Sequence, residues 1–174
     1  TRSMQKTGET NKVVILVATS GDTGKAALEG FADVPGTQII VFYPSEGVSD
    51  IQKQQMITQA GKNVKVFGIE GNFDDAQRGV KEIFGNTALS DELEKKGYTF
   101  SSANSINWGR LVPQIVYYFS AYVDAVKAGK ITAGDPINFV VPTGNFGDIL
   151  AGYYAKLMGL PIDRLLCASN SNNV

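Results

Sequence analysis

Six short apolar runs, set apart by stretches in which apolar residues recur every three or four positions, constrain this chain more than any other feature. The runs are VVILVA at 13–18, QIIVFYP at 38–44, VKVFGI at 64–69, YTFSSA at 98–103, INFVVP at 137–142 and RLLCAS at 164–169. Continuous apolar character fits strands buried on both faces, as in parallel sheets whose crossover helices cover both sides. Between the runs, Phe73, Ala76, Val80, Ile83 and Phe84 share one helical face, with Asn72 placed to cap it. Ser49 and Gln52 make a capping-box pattern ahead of Ile51, Met56 and Ile57. The longest helical stretch starts near Asn107 and puts Leu111, Ile115, Phe119, Tyr122 and Val126 on one stripe. Pro113 should tighten or kink its start, and Lys127, Gly129 and Lys130 mark its end. The alternation predicts an α/β fold, a parallel twisted sheet or sheets flanked by helices with right-handed crossovers. The change from short βα repeats to one long helix predicts two units, residues 1–105 and 106–174.

Composition excludes several kinds of chemistry. The 174 residues are 43% hydrophobic and 19% charged, enough for a packed core. A net charge of -1 gives no basic face for nucleic acid. The chain has no histidine and a single cysteine, Cys167. That removes Ser-His-Asp and Cys-His catalysis, the usual zinc sites and any intramolecular disulfide, so no metal site is expected. A single thiol fits a reducing, cytoplasmic compartment. Proton transfers must fall to lysine, carboxylates or a cofactor. No apolar stretch is long enough to span a membrane, and the first residues lack the apolar region of a signal peptide. The opening TRSMQKTG reads as the tail of a helix cut in the middle, and CASNSNNV stops just after a strand, so a fragment of a longer protein is expected.

Three polar loops follow strands. In the first, Thr19-Ser20-Gly21-Asp22-Thr23-Gly24, glycines free the backbone and hydroxyls add donors where a helix begins. It suits a carboxylate or phosphate, or else it is a plain helix start capped by Asp22 or Thr23. It is not a nucleotide P-loop. Thr19 replaces the upstream glycine, and Ala26 stands where the magnesium-binding hydroxyl belongs. The second loop, Pro142-Thr143-Gly144-Asn145-Phe146-Gly147-Asp148, can cradle a phosphate on its amides, or is an ordinary turn. An aspartate there is unusual for a phosphate site unless it caps the helix. The third, Asn104-Ser105-Ile106-Asn107-Trp108-Gly109-Arg110, holds amides, a hydroxyl and a guanidinium suited to bidentate phosphate or carboxylate binding. Its bland alternative is a capped helix with Arg110 in solvent. Three donor-rich loops imply a ligand with several anionic groups. With no histidine present, pyridoxal phosphate is the economical cofactor.

The segments ATSGDTGKAA, FYPSEGVSDIQKQQM, SANSINWGR and VVPTGNFGDILAGYYAKLMGLP, in this order and spacing, resemble threonine synthases. The likeness runs over most of the chain and is most specific in PTGNFGDILAGYYAKLMGLP. It implies the tryptophan synthase β-subunit type of fold, fold-type II among pyridoxal phosphate enzymes, present here in part. Residues 1–105 would be the small α/β domain, and 106–174 a linking helix and part of the large cofactor-binding domain. The implied reaction is a carbon–oxygen lyase step, a β,γ-replacement that turns O-phospho-L-homoserine and water into L-threonine and phosphate.

By this resemblance Gly144, Asn145, Phe146, Gly147 and Asp148 hold the cofactor phosphate. Asp22 meets the cofactor at a position where many relatives carry Asn. Ser20, Gly21 and Thr23 meet the substrate carboxylate, and Asn104, Ser105 and Arg110 clamp the substrate phosphate. Thr143 stands where Ser is common. The family's Schiff-base lysine lies in a phenylalanine-lysine-aspartate motif, which this chain lacks. Lys6, Lys12 and Lys25 do not sit in that setting, so the fragment alone is expected to be inactive. The implied partners are the small-molecule substrate and the remainder of the chain, with homo-oligomerisation left open. Two other readings stand beside this one. One is a different fold-type II enzyme, of the threonine dehydratase or cysteine synthase type. The other is a non-catalytic domain that binds a phosphorylated metabolite.

Overall fold

The computed structural model describes residues 6–104, 107–142 and 146–169. The elements run β1 (Lys12–Ala18), α1 (Asp22–Phe31), β2 (Thr37–Pro44), α2 (Asp50–Ile57), β3 (Val64–Ile69), α3 (Phe73–Gly85), α4 (Thr87–Lys95) and β4 (Tyr98–Ser102). They continue as α5 (Trp108–Lys127), β5 (Ile137–Pro142), α6 (Gly147–Leu157) and β6 (Ile162–Ala168). Each of the six apolar runs falls on a strand, and every strand pairing is parallel. The chain divides between Asn104 and Ser105 into two compact units.

The first unit holds a four-stranded sheet in the order β3-β2-β1-β4. Strand β1 is buried on both faces because successive side chains point to opposite sides. Val13, Ile15 and Val17 pack with Ala27 and Leu28 of α1 and Met56 of α2. Val14, Leu16 and Ala18 pack with Ala76 and Val80 of α3, backed by Phe73, Ile83 and Phe84. Full burial of a side chain such as Leu28 or Ile39 contributes about 1.5–3 kcal/mol. Strand β3 lies at the edge and is buried less continuously, with Phe67 exposed.

One helix start matches its sequence pattern and another departs from it. Asn72 forms a full capping box with Asp75, each side chain accepting from the other's backbone N–H. Ser49 accepts from the Gln52 N–H at 3.3 Å, but the Gln52 side chain does not complete the box. In α2 only Met56 is buried, while Ile51 and Ile57 are exposed. Helix α4, capped by Asn86 accepting from the Leu89 N–H, was not expected. It buries no residue, so it carries no strong apolar stripe to read.

The second unit pairs β5 with β6 and packs α5 and α6 with them. Helix α5 runs through Pro113 and buries Leu111, Ile115, Tyr118 and Tyr122. The buried stripe therefore passes through Tyr118, and Phe119 is only partly covered. A Schellman motif ends the helix. Gly129, at φ 65°, donates to the Val126 carbonyl and Lys130 to that of Ala125. The ring of Tyr118 lies edge-on to Phe139 at 4.9 Å between centroids. It also fills the space above Gly152, where a Cβ would come within 2.6 Å of Cε1.

Helix propensity alone favours Ala over Gly by about 1 kcal/mol. We expect Gly152→Ala to lower the urea midpoint nonetheless, because overpacking a held ring costs about 1–3 kcal/mol. A raised midpoint would show that the ring yields.

Candidate functional site

In the first unit the strand order reverses at β1. Strands β2 and β3 lie on one side of it and β4 on the other. Open α/β sheets bind ligands outside the carboxyl ends of strands at such a reversal. Here those ends are fastened together by one side chain. The Asn104 amide donates to the Ala18 carbonyl at 2.8 Å and accepts from the Ala18 N–H at 3.0 Å. Asn104 is 6% exposed. Its side chain thus continues the β1–β4 ladder one step beyond the last strand residue.

The loop after β1 is built around Thr19, which is 2% exposed. Its hydroxyl accepts from the N–H groups of Gly21 and Gly24, each at 3.0 Å, and donates to the Gly21 carbonyl at 3.1 Å. Sequence reasoning offered this hydroxyl as a ligand donor. The structure corrects that, because its one proton and its lone pairs are spent inside the loop. Thr19, rather than Asp22 or Thr23, also supplies the side-chain acceptor at the start of α1. The glycines have packing reasons of their own. A Cβ on Gly24 would lie 2.5 Å from the Thr19 methyl and 2.7 Å from the Met56 sulfur. A Cβ on Gly21 would lie 2.7 Å from the Gln52 amide.

What remains for a ligand is specific. The Ser20, Asp22 and Thr23 N–H groups and the Ser20 and Thr23 hydroxyls have no hydrogen-bond partner among the described residues. Ser20 is exposed and Thr23 half-buried. The Asp22 carboxylate accepts from Gln52 Nε2 at 2.7 Å. Gln52 is in turn oriented by the Ser49 hydroxyl, which donates to its Oε1 at 3.0 Å. Sequence reasoning read Gln52 only as a local cap. No local pattern reveals a reach of 30 residues.

In the second unit α6 starts after four residues that follow β5, with Phe146 exposed at its N-cap and Gly147 buried. The Phe146 side chain makes no capping hydrogen bond. The Asp148 and Ile149 N–H groups have no acceptor among the described residues. The Asp148 side chain, read from sequence as a cap or a cofactor contact, receives the Tyr118 hydroxyl at 2.9 Å. Burial, and then the Asp148 carboxylate beside it, push the Tyr118 hydroxyl far above the usual phenol range. Tyr118 was not among the sequence candidates, because its neighbour Phe119 fitted the apolar stripe as well. Asn107 caps α5 through the Gly109 N–H at 2.9 Å. Arg110 is exposed in the first turn. Ser105, Gly144 and Asn145 lie outside the described residues. Among the described residues no helix is long and apolar enough to cross a membrane.

Removing the Asn104 amide strands two backbone groups of Ala18, itself 1% exposed. We expect Asn104→Ala to lower stability by about 2–4 kcal/mol in urea unfolding. A wild-type midpoint would show that water replaces the amide.

No family model matches the chain. It is 49% identical over 167 residues to human threonine synthase-like 1, covering 92% of this chain and 22% of that protein. It is 45% identical over 171 residues to threonine synthase of Pseudomonas aeruginosa, covering 98% of this chain and 34% of that protein. The chain thus spans about a fifth to a third of the length of the relatives it matches. Among solved structures, pyridoxal-phosphate-bound threonine synthase from Brucella melitensis matches 98% of this chain and 34% of its own, at 43% identity and TM-score 0.72. Threonine synthase from Escherichia coli matches 98% of this chain and 37% of its own, at 36% identity and TM-score 0.80. A hydrogen sulfide-producing enzyme from Fusobacterium nucleatum, 17% identical at TM-score 0.56, shares the fold alone. Over nearly its whole length the chain is homologous to threonine synthases, and it shares the parallel α/β fold of these fold-type II enzymes.

Proposed function

We propose that this chain is a segment of a threonine synthase that converts O-phospho-L-homoserine and water into L-threonine and phosphate with pyridoxal phosphate as cofactor. The observation that carries the proposal is 43% identity, across 98% of the chain, to a threonine synthase solved with pyridoxal phosphate bound. The donor set fits that cofactor's phosphate. Helix α6 follows strand β5 and begins with a buried glycine and with Asp148 and Ile149 amides that no described residue accepts, which suits a phosphate cradle. In this reading Gly144, Asn145, Phe146, Gly147 and Asp148 supply that loop mainly through their backbone.

On the first unit, Ser20, Gly21, Asp22 and Thr23 form the loop for the substrate carboxylate and the cofactor edge. The unspent amides of Ser20, Asp22 and Thr23 and the hydroxyls of Ser20 and Thr23 suit an anion. Gly21 contributes by its close approach to Gln52, and Asp22 through the amide hydrogen bond that fixes its side chain. Asn104, Ser105 and Arg110 are assigned to the substrate phosphate. Asn104 brings one amide proton and one lone pair not used on Ala18. Pyridoxal phosphate, when bound, supplies the electron sink for carbanion chemistry. The residues here bind and orient, which lowers the entropic part of the barrier. The amine that would hold the cofactor is not in the chain's own motifs, so residues 1–105 serve as the small domain and 106–174 as part of the large one. A cytoplasmic location accords with the single cysteine.

The test is phosphate release from O-phospho-L-homoserine by the full-length protein. Arg110→Ala there should weaken the substrate by about tenfold to a hundredfold and pyridoxal phosphate far less, with Lys restoring only part. Unchanged inhibition by free phosphate would remove Arg110 from the clamp. Residues 1–174 alone should turn over no substrate, and borohydride should fix no pyridoxyl group on any lysine. A reduced, cofactor-labelled lysine in this segment would overturn that assignment.

A further inference from the structure

An aspartate at the mouth of a phosphate loop runs against the electrostatics of the site. A carboxylate in the first turn of α6 is drawn to the positive end of that helix, where it competes for the amides a phosphate needs and repels the phosphate itself. Asp148 is kept from competing for those amides here, so that only a repulsion at longer range is left. Its side chain is turned onto α5, where the Tyr118 hydroxyl lies 2.9 Å from Oδ1 and 2.9 Å from the Asp148 carbonyl oxygen. One proton serves both acceptors. The hydroxyl is carried on a ring that cannot follow the carboxylate elsewhere. Tyr118 is 5% exposed, set edge-on to Phe139, and seated over Gly152 with no room for even a methyl group. At the helix start it faces, Phe146 makes no side-chain cap hydrogen bond, and the Asp148 and Ile149 N–H groups have no acceptor among the described residues.

We propose that Tyr118 is a positioning residue for phosphate binding: it holds the Asp148 carboxylate against α5 and so leaves the Asp148 and Ile149 amides of α6 to the cofactor phosphate. The inference rests on the reading of residues 146–148 as part of the phosphate loop. It goes beyond that reading by giving Asp148 a tether instead of a ligand role. The upward shift of the tyrosine, caused by burial and by Asp148, keeps the hydroxyl protonated and donating wherever the protein is folded and working.

The test compares pyridoxal phosphate with pyridoxal, which lacks the phosphate, by equilibrium binding to the full-length protein. Tyr118→Phe keeps the ring and releases the carboxylate. It should weaken pyridoxal phosphate by about tenfold, the scale of one charge-assisted hydrogen bond, and leave pyridoxal unchanged. Adding Asp148→Asn to that variant should restore most of the loss, since no charge is left to compete. Asp148→Asn alone, which keeps every backbone amide, should raise affinity for pyridoxal phosphate; this holds the proposal to account even if Tyr118→Phe folds poorly. Equal weakening of both ligands by Tyr118→Phe, or no rescue by Asp148→Asn, would reduce Tyr118 to a packing residue and overturn the proposal. A wild-type protein that binds pyridoxal as tightly as pyridoxal phosphate would instead sink the phosphate-loop reading, before Tyr118 is touched.

Discussion

The side chain of Asn104, paired both ways with the backbone of Ala18, is the contact on which the first unit's candidate site depends. It joins the ends of two strands that no short connection links. Once β1 and β4 are fixed at their carboxyl ends, the direction in which the chain leaves β1 is set. Thr19 then sits inside, Gly24 closes over it, and Met56 of α2 seals the space. The exposed amides of this loop are what is left after these internal demands are met. Burial makes the arrangement hard to alter, because a missing partner here would strand backbone groups away from water.

On the proposed function, the two units solve one problem in different ways. A helix start that is to receive an anion must not be satisfied by its own protein. In the first unit a threonine takes only the Gly21 and Gly24 amides and spends its own proton on a carbonyl. In the second unit the Phe146 side chain does not cap α6, and the Asp148 carboxylate is engaged by a tyrosine from another helix. In both cases the polar side chain that could block the amides is held by a group several residues or a whole helix away. The glycines that look like a ligand signature serve packing as well, as Gly21, Gly24 and Gly152 show.

How much of this was legible in the sequence follows from what each residue touches. Strand β1 could be read because both of its faces are covered, and β3 because VKVFGI is a mostly apolar run although none of its residues is fully buried. Helix α4 was not read because nothing in it is buried. The choice of Phe119 over Tyr118 was a phase error of one residue, about 100° around a helix. Apolar pattern cannot correct such an error when both candidates are aromatic. Motif spacing carried the family. The roles of Thr19, Gln52 and Asn104 could not be read, since a hydroxyl or amide spent on the backbone looks the same in sequence as one offered to a ligand. The contacts that decide the matter span 30 and 86 residues for Gln52 and Asn104.

That last separation has a consequence in time. Strands β1 and β2 are joined through one short helix, but β4 reaches β1 only after 86 residues have been made. At synthesis rates of about 5–20 residues per second, the wait is on the order of ten seconds. Non-local pairings of this kind are slow to form even in a released chain. Throughout that interval the most apolar strand of the unit carries one open edge, the feature by which unfinished sheets recruit strands from other molecules. The crevice that would hold the ligand is thus also the last seam of its sheet to close, and until it closes it offers a nascent chain's neighbours the same hydrogen bonds that Asn104 and β4 will later claim.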